Sequence, residues 1–157
     1  MTDESSSRIA IIGIGNPMMA DDGIGPRLIS ELRGSVPGVD LIDMGTGGMQ
    51  LVHVLAGYDV VLIIDSADMG LSPGESRVFS PGDVVSFKET RPYSLHDWDL
   101  MRSIEISRQL GEAPERILIL AIQPGCLDMR EGLSPVVEKR VPGYVEEVKT
   151  ALAALRA

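Results

Sequence analysis

Three apolar runs recur along the chain without a polar interruption: Ile9-Ala10-Ile11-Ile12, Val60-Val61-Leu62-Ile63-Ile64 and Ile117-Leu118-Ile119-Leu120-Ala121-Ile122. Each is too short for a helix of its own and rich in β-branched residues, so each reads as a strand covered on both faces. Strands of that kind belong to parallel sheets, whose neighbours must be joined by crossovers, usually helices. The intervening stretches supply them. Ile24, Leu28, Ile29 and Leu32 fall at helical spacing before an Arg33-Gly34 stop, and Leu51, Val52 and Leu55 mark a short helix over Met49 to Ala56. Leu100, Met101, Ile104 and Leu110 mark another, with Asp97 near its start, where a negative charge is favoured. Ser134-Pro135 opens a further helix, Ser as cap and Pro at the first position, and Pro142 kinks or restarts it. Tyr144, Val145, Val148, Ala151, Leu152 and Leu155 then form a stripe that packs on the sheet. Val39 to Asp43 adds a strand, and the alternating Glu75 to Phe79 adds a short one suited to a sheet edge.

The expectation is an α/β chain: one three-layer α/β/α domain over residues 8–157 around a mostly parallel, twisted, five-stranded sheet. Residues 1–7 are acidic and polar, an expected disordered tail rather than a basic-then-apolar signal peptide. Pro81 to Leu95 has no clear period and reads as a loop long enough to carry function. With 157 residues and 44% apolar content the chain can bury a real core, and no apolar run approaches the roughly 18 residues of a membrane span. The net charge of −9 argues against nucleic acid, whose binding depends on clustered Lys and Arg. The single cysteine, Cys126, cannot form an intrachain disulfide and suits a reducing cytoplasm.

The polar residues of interest sit where the strands end. Beyond the first strand comes Gly13-Ile14-Gly15-Asn16-Pro17-Met18-Met19-Ala20-Asp21-Asp22-Gly23-Ile24-Gly25; the second strand-like run ends in Asp43 and the third in Asp65. Open α/β sheets bind ligands at the carboxyl ends of their strands. Dinucleotide binding fails on inspection, because Met18 stands where the third glycine of G-x-G-x-x-G belongs and two carboxylates in the loop would repel a pyrophosphate. No Gly-Lys-Ser/Thr phosphate loop and no Gly-x-Ser-x-Gly elbow is present. Cys126 has only His53 and His96 as partners for a nucleophilic role, and a lone cysteine is more often a small buried hydrophobe. His53, inside an apolar helical pattern, reads as structural.

A metal reading is more coherent. Asp22, Asp65 and His96 come from three loops that converge at one end of a parallel sheet, and two carboxylates with an imidazole suit a borderline divalent ion with open positions. Each residue also has a plainer role open to it. Asp22 can cap the following helix, Asp65 can stabilise the loop at Ser66, and His96 can be an ordinary loop histidine.

The long first motif closely resembles the signature of the nickel–iron hydrogenase maturation endopeptidases, and the resemblance runs along nearly the whole chain after the tail. Ile63-Ile64-Asp65-Ser66-Ala67-Asp68-Met69-Gly70-Leu71-Ser72-Pro73-Gly74-Glu75 looks like the family's second acidic motif, Ser94-Leu95-His96 fits its histidine motif, and Ile122-Gln123-Pro124 matches the segment after the last strand. The wording of the second and last segments looks most like the branch serving hydrogenase 3 of the formate hydrogenlyase type. The resemblance implies a phosphorylase/hydrolase-like arrangement of the three layers. It implies an enzyme that removes the C-terminal extension of a hydrogenase large-subunit precursor after nickel insertion; a monomer acting in the cytoplasm is the default expectation beside it. Asp22, Asp65 and His96 would contact nickel carried by that precursor, the resting enzyme holding no metal of its own. Many relatives have Glu where Asp22 stands. Asp43 matches an acidic position of the family's Asp-x-Gly motif and, with Asp22, is a candidate general base. Two other readings remain: a nickel-binding chaperone of the precursor that does not cut it, and a metallohydrolase of unrelated substrate.

Overall fold

The computed structural model describes residues 6–83 and 95–157, the side chains of 95–99 excepted. Most of the expected tail and most of the stretch from Pro81 to Leu95 therefore lie outside the described residues. In chain order the elements are β1 (Ile9–Gly13), α1 (Ile24–Leu32), β2 (Asp40–Asp43), α2 (Gln50–Leu55), β3 (Val60–Ser66), β4 (Ser76–Phe79), α3 (Leu95–Gln109), β5 (Arg116–Ile122), α4 (Pro135–Glu138) and α5 (Val141–Arg156). A 3₁₀ turn, Ala20–Gly23, leads into α1.

The strands form one sheet in the order β2-β1-β3-β5-β4. All pairs are parallel except β4 with β5; the short alternating strand lies at the edge, as its pattern predicts, and its antiparallel direction is new from the structure. Period-two alternation in the buried strands divides the core in two. Ile11, Leu62, Ile64, Leu120 and Ile122 face α1 and α5, whereas Ala10, Ile12, Val61, Ile63 and Ile119 face α2 and α3. This is the three-layer arrangement. The stripe on α5 is buried at Tyr144, Val148, Ala151, Leu152 and Leu155, each of the larger aliphatic side chains contributing roughly 1.5–3 kcal/mol.

Glycine sets the approach of α1 to the sheet. A Cβ on Gly25 would lie 2.7 Å from Ile14 N and 2.9 Å from Ile64 O, both backbone atoms with nowhere to go. At Gly15, φ is +146° and a Cβ would collide with the carbonyl oxygen of Asp22. The opening glycines thus serve close backbone approach, not phosphate.

Three expectations need correction. Leu110 lies beyond the end of α3 and is 60% exposed, because Gly111 turns the chain away with φ +72°. His53 is exposed on α2, whose buried positions are Leu51, Val52 and Leu55; it belongs to the polar face of that helix. Ser134 occupies the cap position of α4, yet its hydroxyl does not cap the helix. Pro142 behaves as expected, α4 ending and α5 restarting around it.

Candidate active site

The chain leaves β1 towards β2 on one side and returns through α2 to β3 on the other side of β1. The order therefore reverses between β1 and β3, and the loops leaving the carboxyl ends of those two strands part around a crevice. The first of those loops carries Asp22, whereas Asp65 is the penultimate residue of β3 itself, not a loop residue.

Asp22 is 6% exposed in the 3₁₀ turn. One of its oxygens, Oδ2, accepts the Asn16 N–H at 2.8 Å, and Oδ1 accepts the Ser66 hydroxyl at 2.7 Å. The residue ahead of α1 at the cap position is Gly23, with no side-chain cap, so Asp22 is not the helix cap its sequence position permits. A carboxylate oxygen can accept two or more hydrogen bonds, and each oxygen of Asp22 accepts one here. The group is fixed in direction, with acceptor capacity remaining on both oxygens.

Asp65 is 2% exposed, one residue beyond the level at which Ile64, Gly13 and Asp43 line up across the sheet. Alternation turns it to the side of Ile63, where α2 and α3 pack. Its neighbour Ser66 reaches across to Asp22, so one hydroxyl joins the loop after β1 to the end of β3. Sequence reasoning gave Ser66 no role. A hydroxyl beside a strand-terminal carboxylate was the available signal.

Asp43 ends β2 at the same edge of the sheet, exposed, its Oδ1 accepting the Gly45 N–H at 2.9 Å. His96 lies in the first turn of α3, not in a loop, and its side chain lies outside the described residues. α3 leads into β5 but follows the antiparallel edge strand β4, and its Leu100 and Ile104 pack on the face of the sheet that carries Ile63, the side to which Asp65 turns. Among the described residues no three of His, Cys, Asp and Glu cluster as metal ligands.

The crevice is buttressed from behind. Gln123, 7% exposed, accepts the Met69 N–H at 2.6 Å and the Leu71 N–H at 3.3 Å, and its amide donates to Asp68 at 3.2 Å. The last of the recognisable motifs thereby holds the loop that follows Asp65. Cys126 is half-buried and free, its N–H donating to Asp21 at 2.9 Å. Asp21 itself, adjacent to Asp22, points elsewhere. Successive residues of a 3₁₀ turn are about 120° apart, so neighbouring carboxylates cannot share a target.

A family model described as "Hydrogenase maturation protease" matches residues 26–151. A hydrogenase expression/formation protein, HupD, from Bradyrhizobium diazoefficiens is 33% identical over 156 residues, covering 97% of this chain and 81% of that protein. The hydrogenase 2 maturation protease of Escherichia coli is 31% identical, covering 92% of this chain and 90% of that one. The hydrogenase maturating endopeptidase HybD from E. coli superposes with a TM-score of 0.83 at 28% identity, over 94% of this chain and 93% of that structure. The fold, the near full-length matches and the family model agree: this chain belongs to the hydrogenase maturation protease family and is an endopeptidase.

Proposed function

We propose that this endopeptidase removes the C-terminal extension of a nickel–iron hydrogenase large-subunit precursor once nickel is in place. Asp22, Asp65 and His96 meet that nickel. The observation that carries the reading is the Ser66 bridge, which presents a buried Asp22 carboxylate beside the end of β3 while leaving acceptor capacity on both its oxygens. Carboxylates and an imidazole suit a borderline divalent ion. Nickel here is part of the substrate, and open ligands suit a metal shared with a partner. An empty precursor lacks the contact, so cutting cannot precede insertion.

In the hydrolytic step water adds to the scissile carbonyl, the C–N bond breaks and the released amine takes a proton. Asp43 is an exposed carboxylate at this edge and is suited to accept the proton from water; Asp22 is the second candidate. The nickel serves as the recognition handle. The working unit is a single chain acting in the cytoplasm, where Cys126 stays reduced. The resemblance of the Asp68–Gly74 and Ile122–Pro124 segments points to a hydrogenase 3 client, whereas the relatives above carry HupD and hydrogenase 2 names, so both kinds of precursor belong in the test.

The test mixes purified protein with each precursor, with and without inserted nickel, and measures precursor mass. A shortened C-terminus only in the nickel-loaded sample supports the reading. Nickel-dependent binding without cleavage favours a chaperone instead. Cleavage of the empty precursor at the same rate refutes the handle.

A further inference from the structure

Asp21 is a buried carboxylate for which the reaction above has no use. It is 1% exposed, and four donors converge on it. Oδ2 accepts the Gly125 N–H at 2.8 Å, the Cys126 N–H at 2.9 Å and the Ser134 hydroxyl at 2.7 Å, while Oδ1 accepts the Ser134 N–H at 2.7 Å. The backbone of the same turn is stitched to the same loop. Asp21 N–H donates to Cys126 O at 3.0 Å and Ala20 N–H to Arg130 O at 2.9 Å, and Met19 bridges Arg130 in parallel.

Two features show that this fastening outranks local preference. Ser134 stands at the cap position of α4, yet its hydroxyl is given to Asp21 and the helix goes without a side-chain cap. Ala20 is held at φ +48°, the one described non-glycine residue in the left-handed region. A residue persists there only where its surroundings fix it.

We infer that Asp21 and Ser134 form a latch that positions Asp22. The latch clamps Ala20 and Asp21 against residues 125–134, and the tight turn then carries the next side chain round to the Asn16 N–H and Ser66. Asp21 is a positioning residue: it touches neither water nor scissile bond. The inference rests on the endopeptidase reading of Asp22 for its kinetic consequence, and on geometry alone for its structural one.

Asp21→Ala removes the partner of three backbone amides and risks the fold, so Ser134 is the test position. Full-length wild type, Ser134→Ala and Ser134→Thr are compared for cleavage of nickel-loaded precursor, for melting temperature, and for hydrogen exchange at the Asn16 amide, which reports its bond to Asp22. The latch predicts that Ser134→Ala lowers kcat about fivefold or more with KM within twofold. It also predicts Asn16 exchange about tenfold faster, and restoration of both by Ser134→Thr. Unchanged kcat and Asn16 exchange in Ser134→Ala overturn the inference, as does a lower melting temperature with both preserved. If wild type itself fails to cleave, the proposed function fails, and the Asn16 exchange still decides the latch.

Discussion

Asp22→Asn separates the chemical from the structural role of the central carboxylate. The substitution is isosteric in a site only 6% exposed. The new side-chain oxygen can keep the Asn16 N–H, held at 2.8 Å in the wild type, and the new amide can donate to Ser66, whose hydroxyl turns from donor to acceptor. Hydrogen bonds to charged groups contribute roughly 1.5–3 kcal/mol and neutral ones roughly 0.5–1.5, so each of these two weakens by about 1 kcal/mol. Relief from burying a charge offsets part of that. The expected net loss is about 1 kcal/mol, or roughly 2–4 °C in melting temperature for a domain of this size. Cleavage of nickel-loaded precursor should fall at least about a hundredfold, since the ligand and candidate base is gone. Asp21→Asn is the internal control. Its amide must face at least one of the N–H donors around it, costing about 3 kcal/mol and roughly 6–12 °C. The assay is precursor mass against time, paired with thermal melts of both variants. An Asp22→Asn enzyme cleaving within threefold of wild type, or melting more than about 10 °C lower, would refute the division of labour between the two neighbours.

Gly25→Ala should lose about 3 kcal/mol in chemical denaturation despite the better helix propensity of Ala, because its Cβ meets only backbone; a loss below 1 kcal/mol would mean α1 slides freely. Gln123→Ala should expose the Met69 amide to hydrogen exchange at least about tenfold faster, the bond at 2.6 Å having no substitute. Tyr144 donates to Gly74 O at 2.5 Å, and burial pushes its phenol up to about 12. The unfolded phenol ionises near pH 10, so this contribution is complete below pH 10 and drains away as pH rises towards 12. Tyr144→Phe should flatten that alkaline fall in urea titrations at pH 9 to 12, and an unchanged slope would exclude Tyr144 as its source. Arg27→Ala should cost under about 1 kcal/mol in a thermal melt although Arg27 pairs with Glu138 at 2.8 Å, both side chains being over a third exposed.

The layers of the fold were legible because β1, β3 and β5 are apolar without interruption and the helices between them are amphipathic, so few other arrangements bury them. The edge position of β4 could be read from the alternation in Glu75–Phe79, whereas its antiparallel direction could not. The site was legible only in part. Asp22 and Asp65 could be singled out as candidates because they end or follow buried apolar strands, but linear order left each an ordinary structural role, and only the structure shows that Asp22 does not cap α1. Asp21 did not stand apart from Asp22, since nothing in linear order says which of two adjacent carboxylates turns inward; that depends on a 3₁₀ turn with a left-handed alanine at its head. Ser134 misled for a related reason. Its local preference is to cap a helix, and a partner 113 residues away outbids it. The position of His96 at the start of a helix shows the same weakness at element boundaries, where hydrophobic period fades.

The latch also has a consequence in time. Its partners are separated by 104 to 113 residues, so the turn near one end of the chain is completed by segments made much later. At about 5–20 residues per second, translation reaches Ser134 roughly 6–23 s after Asp21. β3 and β5, which pair directly and in parallel, are likewise 50 residues or more apart in order of synthesis, as Val60 against Arg116 shows. Long-range parallel pairing is slow to form. On the latch inference, a nascent or prematurely terminated chain that lacks Gly125 to Ser134 lacks the donors that hold Asp21 and so has no aligned Asp22. Peptide-bond cleavage becomes available only to a chain read through to its last third, a quality control written into the connectivity itself.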